Sequence, residues 1–265
     1  MFTPKRRWIK AMLFTLASVG AGVPVATQAQ GAAEHRALGE RALAALDPAT
    51  ALSHFEAALA LEPGNAPLLG DASRAAIDLG EGAAPGERRT GLFRTGEQYA
   101  RRAVAAAPQD AEAHFHLARA LGRYALTVGA RERVKLATAI REEALTIVRL
   151  APGHPGGRHV LGAWHAGVMR LSGVERFVAK RVLGDAVFGE ASWAEAVAQM
   201  ERAVALDPER LSHRLALGTI YRDLGEPAKA REQLLRVQQG PVREYNDPLY
   251  KREAEAALRT LPAAR

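Results

Sequence analysis

From residue 38 onward the apolar residues of this chain return at intervals of three and four, the period of a helix with one buried face. The stretch "LGERALAALDPATALSHFEAALALEP" shows the pattern best, and it divides into two helices. Asp47 and Pro48 mark the break, an N-cap followed by a proline in the first turn of the second helix. Gly39, Ala51 and Ala58 are small enough to let the two helices touch. Phe55 fills the space between them, and Pro63 stops the second helix. The pattern therefore predicts an antiparallel helical hairpin, with Leu38 and Gly39 on the contact face of its first helix.

That hairpin recurs. "ARRAVAAAPQD" ends at Pro108, "ALTIVRLAPGH" at Pro152 and "QMERAVALDPER" at Pro208, and each ending leads into a new apolar-periodic helix. The fourth unit opens on "GRHVLGAWHAG" with Leu161, Gly162 and Trp164, and the fifth on "SHRLALGTIYRDLG" with Leu217, Gly218 and Tyr221. This is the signature of the tetratricopeptide repeat, a helix-turn-helix unit of about 34 residues. The expected fold is all-α: a tetratricopeptide-like solenoid of five hairpins, closed by a terminal helix "DPLYKREAEAALRTL". Leu249, Ala257, Leu258 and Leu261 of that helix would cover the open end of the stack.

The spacing departs from the common repeat. The prolines at 63, 108, 152 and 208 are separated by 45, 44 and 56 residues. An excess of ten or eleven residues is almost three helical turns, so a helix lengthened by that much keeps its buried face in phase. "ERRTGLFRTGEQYARRAV" reads as one such long second helix, with Leu92, Tyr99 and Val104 on its apolar side. "RERVKLATAIREEALTIV" reads as another, with Val134, Ala137, Ile140 and Ala144. In the fourth unit the excess is twice as large and predicts a separate inserted helix, "VERFVAKRVLGDAVFG". Ser172 with Glu175, and Ser192 with Glu195, then have the spacing of capping boxes on either side of it.

Here the chain resembles the regulator of microtubule dynamics family. The resemblance rests on "HVLGAWHAGVMRLSGVERFVAKRVLGDAVFG", on "HRLALGTIYRDLGEPAKAREQLLRV" and on "DPLYKREAEAAL", and it is good from about residue 100 to 260. The matching positions are His159, Leu161, Gly162, Trp164, His165, Leu171, Ser172, Glu175, Arg176, Ala179, Phe188 and Gly189. One departure is Ala163, where the family usually carries a basic residue. The resemblance implies a tetratricopeptide-like domain. Eukaryotic members are associated with microtubules, and one branch with membrane tethering and phospholipid binding.

The first 29 residues change the picture of where the protein works. "MFTPKRRWIK" carries Lys5, Arg6, Arg7 and Lys10, an uncharged apolar stretch follows, and Thr27 and Ala29 supply small residues before a break. That is the layout of a secretory signal peptide at residues 1–29, leaving a solenoid domain at 30–265 in the periplasm or outside the cell. The alternative is an uncleaved leader anchoring the chain to the inner membrane. Without residues 1–29 the net charge falls from +7 to +3, so basicity gives no reason to expect nucleic acid. Export also argues against microtubules as a partner. The absence of cysteine removes disulfide and thiolate chemistry, and the domain must be held by packing alone.

No arrangement of reactive side chains points to catalysis. His154, His159 and His165 lie five and six residues apart, about 500° and 600° around a helix, so no two of them share a face. No nucleophile elbow or glycine-rich phosphate loop is present. The chain reads as a non-enzymatic binding protein with no cofactor or metal. Its candidate site is the inner surface made by the first helices of the hairpins. Arg74, Arg119, Arg123 and Arg222 would supply charge there, and Phe115 and His159 would supply contact. Ala163, Ala166 and Gly167 would leave room. Arg119 and Arg123, four apart on one face, suit a carboxylate or phosphate. A protein segment is the expected occupant, and an acidic lipid the alternative.

Overall fold

The computed structural model describes residues 25–173, 175 and 189–262. Residues 1–24 of the leader and the inserted stretch 176–188, with Arg176, Ala179 and Phe188, fall outside the described residues. Eleven helices lie within them: α1 (Val25–Ala44), α2 (Pro48–Leu61), α3 (Ala66–Gly82), α4 (Glu87–Ala106), α5 (Ala111–Ala125), α6 (Ala130–Leu150), α7 (Pro155–Met169), α8 (Trp193–Leu206), α9 (Leu211–Asp223), α10 (Pro227–Gln239) and α11 (Asp247–Thr260). Among the described residues there are no strands. Consecutive pairs from α1–α2 to α9–α10 form five antiparallel hairpins, and α11 packs on the last of them. The all-α solenoid read from the sequence is the fold.

Local chemistry sets the helix ends. Asp47, Asn65, Asp110 and Ser192 accept a backbone N–H of the following helix, and prolines 48, 67, 155, 227 and 248 sit in first turns. The Ser172 hydroxyl accepts from the Glu175 N–H at 3.3 Å while the Glu175 carboxylate accepts from the Ser172 N–H at 2.9 Å, a reciprocal capping box. Helices α2, α4, α6 and α8 each end two residues before prolines 63, 108, 152 and 208.

The middle hairpins are tall. Helices α4 and α6 have 20 and 21 residues, against 14, 14 and 13 for α2, α8 and α10. The buried face of α4 lies one residue away from the expected one, on Phe93, Gly96, Ala100 and Ala103. Two glycines explain the rotation. A Cβ on Gly80 would stand 2.5 Å from the Phe93 ring, and a Cβ on Gly96 2.7 Å from Ile77, so each aromatic or aliphatic group enters where its opposite residue has no side chain. Leu92, Tyr99 and Val104 are left half-buried, and the Tyr99 hydroxyl donates to Glu56 at 2.9 Å.

Small residues bring the hairpins together as the repeat pattern requires. A Cβ on Gly39 would lie 2.5 Å from Phe55, one on Gly162 3.1 Å from the backbone of α8, and one on Gly218 2.9 Å from Leu234. Packing runs on from unit to unit: Ala42, Phe55 and Ala58 share one cluster with Leu68, Ala72 and Ala103. Ala166 and Met200 share another with Leu217, Ile220 and Tyr221. The terminal helix caps the stack through Tyr250, Ala254 and Ala257 against Leu211, Leu234 and Val237, with Leu258 and Leu261 partly buried. Leu249, which the pattern assigns to that face, instead lines a cavity.

Candidate functional site

The terminal segment does more than cap. Between α10 and α11 the chain turns back across the inner face and is fastened to the second hairpin. Glu244 pairs with Arg74 at 3.5 Å, the Asn246 side-chain amide donates to the Asp78 carbonyl at 3.3 Å, and the Tyr250 hydroxyl donates to Glu81 at 2.6 Å. These contacts join residues about 170 positions apart. The inner face is therefore partly covered by this segment.

At the centre of the closure stands Glu81, whose side chain is only 3% exposed. Arg123 Nε forms an ion pair with it at 2.7 Å, and Arg119 Nη2 donates to it at 3.2 Å and to Asp78 at 2.5 Å. Burial alone would raise the carboxyl. Arg123 and Arg119, with the Tyr250 hydrogen bond, outweigh that and hold it down at about 2. Burial and the same carboxylate push the Tyr250 phenol up. The repeat register assigns Arg74, Arg119 and Arg123 to present charge to a ligand. The structure commits them instead to Asp78, Glu81 and Glu244, because a buried guanidinium is stable only beside a carboxylate.

Enclosed by these elements is a cavity of about 570 Å³. Phe115, Arg119, Gly122 and Arg123 of α5 line it, with His159, Ala163 and Gly167 of α7. Its deeper wall is apolar: Val134, Ala137 and Ile140 from α6, and Trp164 and Val168 from α7. This wall explains why Ala137 and Ile140 are only half-buried on a helix whose apolar face they share with Val134 and Ala144. Trp164 is held in place, its Nε1 donating to the Ala137 carbonyl at 2.8 Å with the Arg141 guanidinium 5.5 Å above the ring. Leu126, 63% exposed, stands at the mouth. A Cβ on Gly122 or Gly167 would meet nothing within 4 Å, so both glycines open onto empty space.

The remaining expected residues fall elsewhere. Ala166 lines a second, smaller cavity of about 360 Å³. Arg222 lines neither cavity, and its nearest partner is Asp223 at 3.4 Å. Residues that sequence reasoning missed are Glu81, Tyr250, Arg210 and His213. Glu81 was reachable by continuing the Arg74–Asp78 face one more turn. Nothing local distinguishes the other three.

His213 and His159 meet across α9 and α7, Nδ1 to Nδ1 at 2.9 Å, a pairing that rotation within a single helix does not reveal. One ring must donate and the other accept, so the pair suits two neutral rings. Burial, reinforced by Arg123 and Arg210, lowers His159 to about 3, and burial with His159 alongside lowers His213 to about 2. Among the described residues no three His, Asp, Glu or Cys side chains converge as metal ligands do.

A family model described as regulator of microtubule dynamics protein 1-3 matches residues 44–262. No curated protein matches. Among solved structures, the chain is similar to TTC0263, a thermophilic TPR protein of Thermus thermophilus. The TM-score is 0.58 at 19% identity, over 85% of this chain and 99% of that one. MamA of Desulfovibrio magneticus RS-1 gives a TM-score of 0.45 at 16% identity over 78% of this chain and 92% of that one. YrrB, a TPR protein with an unusual peptide-binding site, gives 0.43 at 14% over 86% and 92%. The first of these shows the fold.

Proposed function

The chain belongs to the regulator of microtubule dynamics family, and from that premise we propose that it is a non-catalytic binding protein whose enclosed cavity takes an apolar segment of a partner protein. The observation that carries this reading is the division of labour in the 570 Å³ cavity. Four of its arginines, Arg119, Arg123, Arg170 and Arg210, are paired with the chain's own carboxylates, and Arg133 donates to the Ala125 and Val128 carbonyls, so the largest surface left for a guest is the apolar wall from Val134 to Val168. A volume within the ~300–1,000 Å³ of ligand cavities accommodates a few apolar side chains.

The decisive variant is Gly167→Leu, whose Cβ would meet no neighbour within 4 Å and whose side chain would take up part of the cavity. With a photo-crosslinking residue at Leu126, wild type should capture a partner peptide and the filled variant should not. Equal crosslinking by both would place binding outside the cavity. A second reading, an acyl chain of an acidic lipid, draws support from the continuous hydrocarbon of the same wall. Mass spectrometry of organic extracts separates the two, since retained lipid lost on Gly167→Leu would favour it.

We also place the protein outside the cytoplasm, on the basic start and uncharged stretch of residues 1–29. An intact mass beginning at Gln30 is expected for the exported form, and a retained leader would make it a membrane-anchored one.

A further inference from the structure

The second cavity adjoins the first and shares Arg123, His159, Ala163, Arg170, Ser212 and Tyr250 with it, but its character is different. Charged and hydroxyl groups dominate its far side: Glu81 from α3, Arg89 from α4, Thr219 from α9 and Glu253 from α11. Most of these are accounted for. Glu81 is held by Arg119, Arg123 and Tyr250, Arg170 by Asp223 at 2.6 Å, and the Thr219 hydroxyl donates to the Leu215 carbonyl at 2.9 Å.

Two charges are left over. Arg89 and Glu253 line this cavity, yet neither forms an ion pair within 4.0 Å or a hydrogen bond with another described residue. Arg89 Nε is buried without an acceptor, and its guanidinium is stacked 5.5 Å from the Phe93 ring, which fixes where the fork lies. Arg123, paired with Glu81 through Nε at 2.7 Å, also borders the cavity. A buried guanidinium nitrogen without an acceptor is costly, whereas Glu253 is exposed at the cavity's rim, where it feels the charges of Arg123 and Arg89 without pairing with either. Opposite charges that face one cavity without meeting are complementary to a guest carrying both signs. A plain anion would satisfy Arg89 and be repelled by Glu253. A plain cation would do the reverse.

We propose that this cavity binds a small zwitterion of the free amino-acid class, its carboxylate on Arg89 and Arg123 and its ammonium on Glu253, with the Ser212 hydroxyl beside it. At about 360 Å³ the space sits at the small end of ligand cavities and admits one such molecule. Arg123 and Ser212 border both cavities, but Arg89 and Glu253 line only this one, so variants at those two residues test the proposal separately from the partner-segment reading.

The test is calorimetric titration of the full chain with the common free amino acids, each matched with its N-acetyl derivative and its amide. At least one amino acid should bind saturably, and its N-acetyl and amide counterparts should bind at least about tenfold more weakly. Arg89→Gln and Glu253→Gln should each weaken binding by about 10- to 100-fold. Circular dichroism and the urea midpoint of each variant establish that it is folded, and Arg89→Lys, which keeps the charge, should retain part of the affinity. Failure of every amino acid to bind at millimolar concentration would overturn the proposal. So would equal binding of the N-acetyl derivative, or wild-type affinity in both folded Gln variants.

Discussion

At the scale of single residues, the glycines separate into two kinds that the sequence writes identically. Gly39 faces Phe55, where an added Cβ would meet three ring atoms within 2.9 Å. Gly39→Ala should therefore cost about 1–3 kcal/mol through overpacking. Gly167 is also inside a helix but has nothing within 4 Å, so Gly167→Ala should gain up to about 1 kcal/mol by restricting the unfolded chain. Urea denaturation of the two variants checks the opposite signs. His154 is a further residue whose role needs its surroundings. It caps α7, its Nδ1 accepting from the Gly157 N–H at 3.1 Å while Nε2 donates to Glu112 at 3.0 Å. His154→Ala should cost about 1 kcal/mol and His154→Asn much less, because the asparagine side chain restores the acceptor.

At the scale of elements, the question is what α11 does for the hairpins it does not follow. Its apolar side completes the fifth unit, and Tyr250 ties it to Glu81 on α3. Tyr250→Phe removes one hydrogen bond to a charged group and should cost about 1.5–3 kcal/mol. Glu81→Ala leaves Arg123 buried with no carboxylate and should cost about 3–5 kcal/mol. In both variants hydrogen exchange should rise in α3 and α11 together, although about 170 residues separate them in sequence; a rise confined to α11 would mean that the contact is incidental. Lengthening of α4 and α6 belongs to the same scale. The longer α6 supplies Val134, Ala137 and Ile140, so an insertion visible as wide proline spacing becomes the wall of the cavity.

At the scale of the whole molecule, enclosure sets the response to acid. Burial lowers His116 to about 4, His159 to about 3 and His213 to about 2. Unfolded, each would titrate near 6.5. A depressed histidine gives stability that is full above about pH 6.5 and is lost as the pH falls toward the folded value, by up to about 1.4 kcal/mol per pH unit for each ring. Asp71, raised to about 6 by burial, works the other way between about pH 4 and 6, as does Glu253, also raised by burial, but two carboxylates oppose four histidines, since burial lowers His165 too. Glu81 contributes its own loss only below about pH 4.5, as the pH falls toward about 2. Stability measured by urea titration should therefore decline from about pH 6.5 to pH 5, and His213→Leu should make the decline shallower.

What the sequence determined is what neighbours along the chain decide. Helical period, small residues at contact positions, caps and terminating prolines are local properties, and they specified five hairpins, the tall middle units and the closing helix. They also put Phe115, Arg119, Arg123, His159, Ala163 and Gly167 on one inner surface, since a repeat carries its inner face in fixed register. What only the tertiary structure decided is how that surface is used. The meeting of Glu81 with Arg119, Arg123 and Tyr250 depends on how far the superhelix turns over five units, and small rotations per repeat accumulate in a way no single repeat encodes. The return of residues 244–250 to α3 follows from that accumulated turn. It turns arginines that read as ligand contacts into internal ion pairs, and an open groove into two partly covered cavities.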